Sequence, residues 1–381
     1  MNMKKVLSVM AVAGMLVGCG GTGSGGKSLS EGDTIKIGFV GPTSGENSTY
    51  GIPVKNTIQL AVDDYNASSD AKYKVELLCE DSAGDVQQAT SAYKKLVGEG
   101  IVGIVGPVIT AEGLALGEAS KGDGTPIVSP STSGDKATLN SDGSTRANYF
   151  RTCSNDSMGG KTIAQAISNG TVKVKKVAIL TNSDSDYSIG CTDSFVKQAE
   201  EDGTQIVLKE KYPQSSKDFK TYIQKVMSSG ADAVFIPDYY EMIATVVKQF
   251  KDAGFNGTFL GTDGWDGVLA VNDIDKSIFN GAYYTNTFDD RTDEVQNYVK
   301  AYREKYNSET NMFGTMAYDA TWVLIKAVEK AQSTNYEDIC KALEQTDYTG
   351  ITGHFKFDEQ HNPTKVLVVK TIKNGQYSYL D

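Results

Sequence analysis

From residue 33 onward, short apolar runs rich in β-branched residues alternate with longer stretches in which apolar positions recur every three or four residues. The short runs lie at 35–40, 75–78, 101–105, 126–129, 176–181, 205–209, 233–237 and 258–261. Their length and their bounding Gly, Pro, Asp and Ser clusters predict strands, and the amphipathic stretches between them predict helices. Over 53–66, Val54, Ile58, Ala61, Val62 and Tyr65 share one helical face, which needs a sheet to cover it. Asp85, with Gln88 three residues on, predicts a capped start for the helix that carries Val86, Ala89, Tyr93, Leu96 and Val97. Such alternation is the sequence form of parallel sheets covered by crossover helices. Four predicted strands precede the segment 148–156 and four follow it. Each set suffices for its own doubly wound layer, so two lobes are expected.

The tail breaks this rhythm. Helical patterns at about 291–306, 313–331 and 336–345 come in succession, and 354–357 with 366–372 then predict a late hairpin. Segments that leave the alternation are expected to cross back and complete the earlier lobes.

The N-terminus follows another pattern. Lys4 and Lys5 precede an uncharged apolar run that is too short for the ~20 residues of a spanning helix, which marks 1–18 as a signal peptide. The run ends in Leu16-Val17-Gly18-Cys19, which resembles the bacterial lipobox, whose cysteine is lipidated and becomes the first mature residue. Cys19 is therefore the expected lipid anchor. Residues 19–32 form a Gly/Ser-rich tether that holds the body at the outer face of the cell membrane, anchored to it without spanning it.

Composition narrows the function. The 381 residues carry a formal charge of −11, and loss of the signal peptide removes only Lys4 and Lys5 among the charges. An acidic body with no basic cluster does not suit nucleic acid. His354 and His361 are the only histidines, so a histidine-based metal site or catalytic triad has almost no material. No metal, cofactor or enzymatic activity is expected. Cys79, Cys153, Cys191 and Cys340 allow either four buried free thiols or two bridges, and spacing does not choose.

Several chemical motifs dissolve in context. Residues 21–28 spell G-x-x-x-x-G-K-S inside the tether, with no strand before and no helix after. Residues 98–103 spell G-x-G-x-x-G but enter a strand instead of leaving one. Ser133 to Lys136 matches S-x-x-K without its companion motifs. Asn182, Asp184 and Asp186 alternate like a calcium loop, yet Tyr187 stands where the sharp turn needs glycine.

Ligands of open α/β sheets bind beyond the carboxyl ends of the strands. Here those ends run into GPTSGENSTYG, GPVITAEG, SPSTSGDK, TNSDSDYSIG, PDYYEM and GTDGWDG, loops loaded with hydroxyls, aromatics and carboxylates. Thr110 and residues 131–133 combine hydroxyls with helix starts, the ingredients of a carboxylate site. Asp263 supplies an acceptor for an ammonium, and Tyr50, Tyr187, Tyr239 and Tyr240 supply large walls with one polar end each. The set complements a zwitterion.

At these residues the chain resembles the branched-chain amino acid (Leu/Ile/Val) substrate-binding proteins of ABC transporters, in the type I periplasmic-binding-protein family. The resemblance spans roughly 33–381. It rests on GP-x-SG…YG, the VGP loop, IVSPS, FRTC-x-ND at 150–156, YYEM, GTDG and the late AYDATWVLIKAVEKA helix. It implies an α/β fold of two doubly wound, Rossmann-like lobes joined by three crossings, with 33–150 plus 286–345 as lobe 1 and 151–285 plus 346–381 as lobe 2. It further implies Thr110 and Ser133 as side-chain ligands of the α-carboxylate, with the Ser131 backbone nearby, and Asp263 as partner of the α-amino group. Tyr50, Tyr187 and either Tyr239 or Tyr240 are to line the pocket, with the Trp265 ring near the side-chain slot. Two departures bear on specificity: Asp263 stands where the family usually has Glu, and Trp265 where a smaller residue is common. The cysteine pair that bridges two of these loops in some relatives is not evident, since Ile109 and Thr110 follow the VGP turn. The implied protein is a monomer that captures a branched-chain or other apolar or aromatic amino acid and hands it to an ABC permease. The alternative is a ligand-binding sensor subunit that signals through a membrane partner.

Overall fold

Two sheets organise the chain. The computed structural model describes residues 26–380, so the signal peptide, Cys19 and the first half of the tether lie outside the described residues. The first sheet has the order β2-β1-β3-β4-β5, built from β1 (Thr34–Gly41), β2 (Lys74–Asp81), β3 (Gly103–Val105), β4 (Ile127–Ser129) and β5 (Tyr149–Arg151). All its pairings are parallel. The second sheet has the order β14-β13-β10-β9-β8-β6-β7. Its parallel part comprises β6 (Lys176–Asn182), β7 (Gln205–Tyr212), β8 (Ala233–Phe235), β9 (Thr258–Leu260) and β10 (Tyr283–Asn286); β13 (Val368–Lys373) and β14 (Gln376–Tyr379) add an antiparallel edge. The molecule is bilobal and α/β, as the alternation predicts.

Helices cover both sheets. In the first lobe α1 (Ser48–Ala67) buries Val54, Ile58, Ala61, Val62 and Tyr65, the face the sequence marks, and α2 (Val86–Gly98) starts with the Asp85 side chain accepting the Gln88 N–H. The helix α3 (Thr110–Ala119) follows β3. In the second lobe α4 (Asp156–Ser168), α5 (Asp186–Asp202), α6 (Lys220–Ser229) and α7 (Tyr240–Asp252) alternate with the strands. From β10 the chain returns to the first sheet as α8 (Asp293–Tyr306), α9 (Met312–Ala331) and α10 (Tyr336–Glu344), with α9 packed on α1, β3 and β4. It then forms β11 (Asp347–Gly350) and β12 (Gly353–Lys356) before crossing a third time to β13.

The crossings are tied to one another. The Arg151 guanidinium is fully buried; its Nε donates to Asn362 Oδ1 (2.7 Å), and its Nη1 donates to the carbonyls of Thr132, Ser133 and Gly134 at 2.8–3.0 Å. Lys365 Nζ donates to Thr152 O (3.2 Å) and Thr352 Oγ1 (2.6 Å). Buried charge is tolerated where every N–H has an acceptor, and here those acceptors belong to different passes of the chain.

Three expectations are corrected. The late hairpin does not form: the segments at 354–357 and 366–372 pair with different partners, β11 with β12 and β13 with β14, because local turns supply closer strands. Four strands, β5, β10, β11 and β14, lie where no run was marked; each has only three or four residues, and β5 and β10 end in Arg and Asn. The described cysteines are all free, and Cys79 is exposed on the edge strand β2 while Cys153, Cys191 and Cys340 are buried.

Candidate functional site

In both sheets the strand order reverses at one point, between β1 and β3 in the first and between β6 and β8 in the second. Loops diverge there, which opens a crevice at the carboxyl ends. The two crevices face each other across a small, largely closed cavity. Its walls come from the loops after β1, β3 and β4 on one side and after β6, β8 and β9 on the other.

The first-lobe wall consists of hydroxyls and a helix start. Thr110 opens α3 and is 3% exposed; its Oγ1 accepts the Gly134 N–H (3.2 Å). Ser131 Oγ donates to Val108 O (2.7 Å), and the deeper Ser129 Oγ accepts the Thr132 N–H (2.8 Å) while donating to Pro107 O. The loop after β4 is thereby laced to the loop after β3, and Arg151 holds it from behind by three carbonyls. Ser133, 4% exposed, completes the wall. This wall presents neutral donors and the N-terminus of α3, where backbone amides favour an anion.

The second-lobe wall is acidic and aromatic. Asp263 sits in a 3-10 turn (Asp263–Trp265) after β9 and is 8% exposed. Burial pushes its carboxyl up to about 6, against the opposing pull of the Tyr187 hydroxyl, which donates to Oδ1 at 2.9 Å. The same hydroxyl accepts the Gly264 N–H (2.8 Å), and a Cβ on Gly264 would stand 2.3 Å from Asp238 O, so only glycine permits this turn. Tyr187 and Tyr239 stack with centroids 5.0 Å apart and planes 6° from parallel, making one flat aromatic wall. Tyr50 reaches across from α1: its hydroxyl donates to Gly264 O (2.6 Å) and accepts the Tyr240 N–H (2.9 Å).

Of the residues marked in the sequence, the structure brings Tyr50, Thr110, Ser131, Ser133, Tyr187, Tyr239 and Asp263 to one cavity. Two stand elsewhere. The Tyr240 ring turns outward of Tyr50 and its hydroxyl donates to Glu46 O (2.7 Å), so Tyr239 is the member of that pair that faces the cavity. Trp265 is not beside the slot: the 3-10 turn sends it to the opposite side from Asp263, into the lobe core, where Nε1 donates to Ile236 O (2.8 Å) and Phe279 meets its ring edge-on. Phe313 was not marked; it lies in the first turn of α9, far from the other loops in sequence, and packs edge-on against Tyr50 with centroids 4.8 Å apart. Val108 and Ile109 supply the remaining apolar surface. The Asn182–Asp184–Asp186 alternation is spent on loop contacts: Asp184 Oδ2 accepts the Gln214 N–H and Asn182 bonds Asp238. Among the described residues no group of acidic, Cys and His side chains is placed to hold a metal ion.

One pole donates and the other accepts, with apolar surface between. The polarity of these walls complements a small zwitterion.

The chain is similar to known proteins over most of its length. The family model described as periplasmic binding protein matches residues 34–376. A Leu/Ile/Val-binding protein homolog of Brucella melitensis is 28% identical over 79% of this chain and 80% of its own length. A leucine-, isoleucine-, valine-, threonine- and alanine-binding protein of Pseudomonas aeruginosa is 25% identical over 86% of this chain and 87% of its own. Among solved structures, a branched-chain amino acid transporter substrate-binding protein of Streptococcus pneumoniae, in complex with isoleucine, superposes with a TM-score of 0.83 at 29% identity, covering 91% of this chain and 98% of its own.

Proposed function

The chain belongs to the periplasmic binding protein family, whose members bind and transport without catalysis, and on that premise we propose that it captures a branched-chain or other apolar or aromatic amino acid between its lobes. The observation that carries this reading is the opposed polarity of the two walls: hydroxyls and the α3 N-terminus on one lobe, a buried carboxylate and two stacked tyrosines on the other. In this reading Thr110 and Ser133, with Ser131 beside them, take the α-carboxylate, and Asp263 takes the ammonium. Tyr50, Tyr187, Tyr239 and Phe313 enclose the side chain. The names of the relatives, and the isoleucine in the streptococcal structure, support an amino acid as ligand and a membrane transporter as the receiving partner, which in this reading is an ABC permease. Lobe 1 then comprises 33–150 plus 286–345 and lobe 2 comprises 151–285 plus 346–381, with hinge motion at the three crossings opening and closing the cleft.

A thermal-shift panel of the twenty amino acids at millimolar concentration tests the reading. A ligand that binds only the closed native state stabilises it by about 2.7 kcal/mol at a hundredfold excess over Kd. A clear rise in Tm for at least one apolar or aromatic member is expected, and silence across the panel refutes the amino-acid assignment.

The lipid anchor at Cys19 rests on the Leu16-Val17-Gly18-Cys19 sequence and the glycine-rich tether after it. Expressed in a bacterium, the native chain should fractionate with membranes and incorporate labelled palmitate. Cys19→Ser should lose both while binding its ligand unchanged.

A further inference from the structure

Next to the ligand cavity the two lobes meet again, at the start of α9. The first N–H groups of a helix find no acceptor within the helix itself. In α9 the Asn311 side chain accepts that of Gly314 (2.8 Å). The N–H of Met312, the first helical residue, donates to Asp266 Oδ1 at 3.2 Å. Asp266 is 5% exposed and comes from the β9–β10 connection of the second lobe, whereas α9 packs on α1, β3 and β4 of the first. A carboxylate of one lobe therefore serves the positive end of a helix that belongs to the other.

Both partners are fixed within their own lobes. Asp266 follows the 3-10 turn that holds Asp263, and its N–H donates to Asp263 O (2.9 Å). Gly267, at φ +127°, turns the chain away directly afterwards, and its N–H donates to the Tyr377 hydroxyl on β14 (2.7 Å). On the first lobe Asn311 Nδ2 donates to Thr49 O of α1 (2.9 Å). A Cβ on Gly314 would stand 3.2 Å from Pro53 Cβ, so the first turn of α9 lies directly on α1. Phe313, the residue after Met312, faces the cavity.

We propose that Asp266 is a positioning residue of the ligand site: it latches the closed lobes on the N-terminus of α9 and, through the segment 263–266, couples that latch to Asp263. The inference rests on the amino-acid reading given above and adds a residue outside the cavity that sets how long the ligand is held.

The segment 263–266 divides three tasks among its polar groups. Asp263 faces the cavity, Gly264 O accepts the Tyr50 hydroxyl from α1, and Asp266 accepts the Met312 N–H. Burial raises the Asp266 carboxyl, and the Lys370 charge and then the Met312 N–H oppose that rise, so the contact that joins the lobes also favours the charged form. When the lobes part, carboxylate and N–H both return to water. The bond thus belongs to the closed form: it slows opening, and encounter of ligand with the open form does not use it.

Stopped-flow kinetics of the full chain with L-isoleucine and L-leucine, in wild type, Asp266→Ala, Met312→Pro and the double variant, tests the latch. Met312→Pro deletes the donated N–H at the first helical position, where proline is well tolerated, and the extended backbone of Asn311 (φ −133°, ψ 179°) suits a following proline. Each single variant is expected to raise the off-rate about tenfold with the on-rate unchanged. The double variant should release ligand no faster than the faster single, because either change already removes the one bond. Effects that multiply in the double variant, unchanged off-rates, or a loss carried by the on-rate overturn the inference and leave the amino-acid reading intact. If Asp266→Ala fails to fold, the off-rate of Met312→Pro decides alone. Hydrogen exchange at the Met312 amide reads the same bond whatever the ligand: it should be slow in wild type and about tenfold faster in Asp266→Ala, with later turns of α9 unchanged. Failure of both amino acids to bind wild type counts against the amino-acid reading alone, and equal exchange in wild type and variant overturns the latch.

Discussion

The two walls of the cleft are built in opposite ways. On the first lobe the polar groups are neutral, and several are already engaged: Ser131 bonds Val108, Ser129 bonds Pro107, and Arg151 grips three carbonyls of the 132–134 loop. That wall is pre-organised and redundant, since hydroxyls and helix amides serve one anionic end together. On the second lobe one cavity carboxylate, Asp263, has its orientation fixed by Tyr187 and forms no ion pair among the described residues. A redundant wall loses little when one member goes, whereas a solitary buried charge has no substitute.

The largest expected effect is therefore at Asp263. Asp263→Ala strands the ligand ammonium in a buried site and should weaken binding by about 2–5 kcal/mol, measured as Kd by calorimetry. Equal affinity in the variant would place the amine elsewhere and break the comparison.

An intermediate effect is expected where the walls meet. Tyr50→Phe removes the hydroxyl that links α1 to Gly264 and Tyr240, leaving a buried carbonyl and amide unpaired in the closed form only. The cost is about 1–3 kcal/mol. It should appear as a faster off-rate in stopped-flow measurements, because closure and not encounter is impaired.

The smallest effect belongs to the redundant wall. Ser133→Ala should cost about 1 kcal/mol of affinity, since Thr110 and the α3 amides remain. A loss as large as that of Asp263→Ala would show that the hydroxyls are not interchangeable.

Much of this contrast was legible in the sequence. The alternation of periods located eight of the strands and the long helices, and the strand-end loops named seven of the cavity residues because α/β topology delivers such loops to one edge. What failed depended on orientation or on distant partners. Asp263 and Trp265 are two residues apart, and only the 3-10 turn decides that one faces the cavity and the other the core. Tyr239 and Tyr240 were indistinguishable until α7 was seen to begin between them. Phe313 carries no local signal, because its neighbours in space come from the loops of both lobes. The late hairpin failed because β-branched runs do not say which strand they pair with.

The central claim, that one wall reads the carboxylate and the other the ammonium of a single amino acid, is tested most directly with altered ligands. L-leucine, its N-acetyl derivative and its methyl ester are titrated into the full chain by calorimetry. The account predicts that L-leucine binds, that N-acetylation abolishes binding by removing the charge Asp263 pairs with, and that esterification weakens it strongly through the first-lobe wall. Binding of either derivative with the affinity of the free amino acid would contradict it.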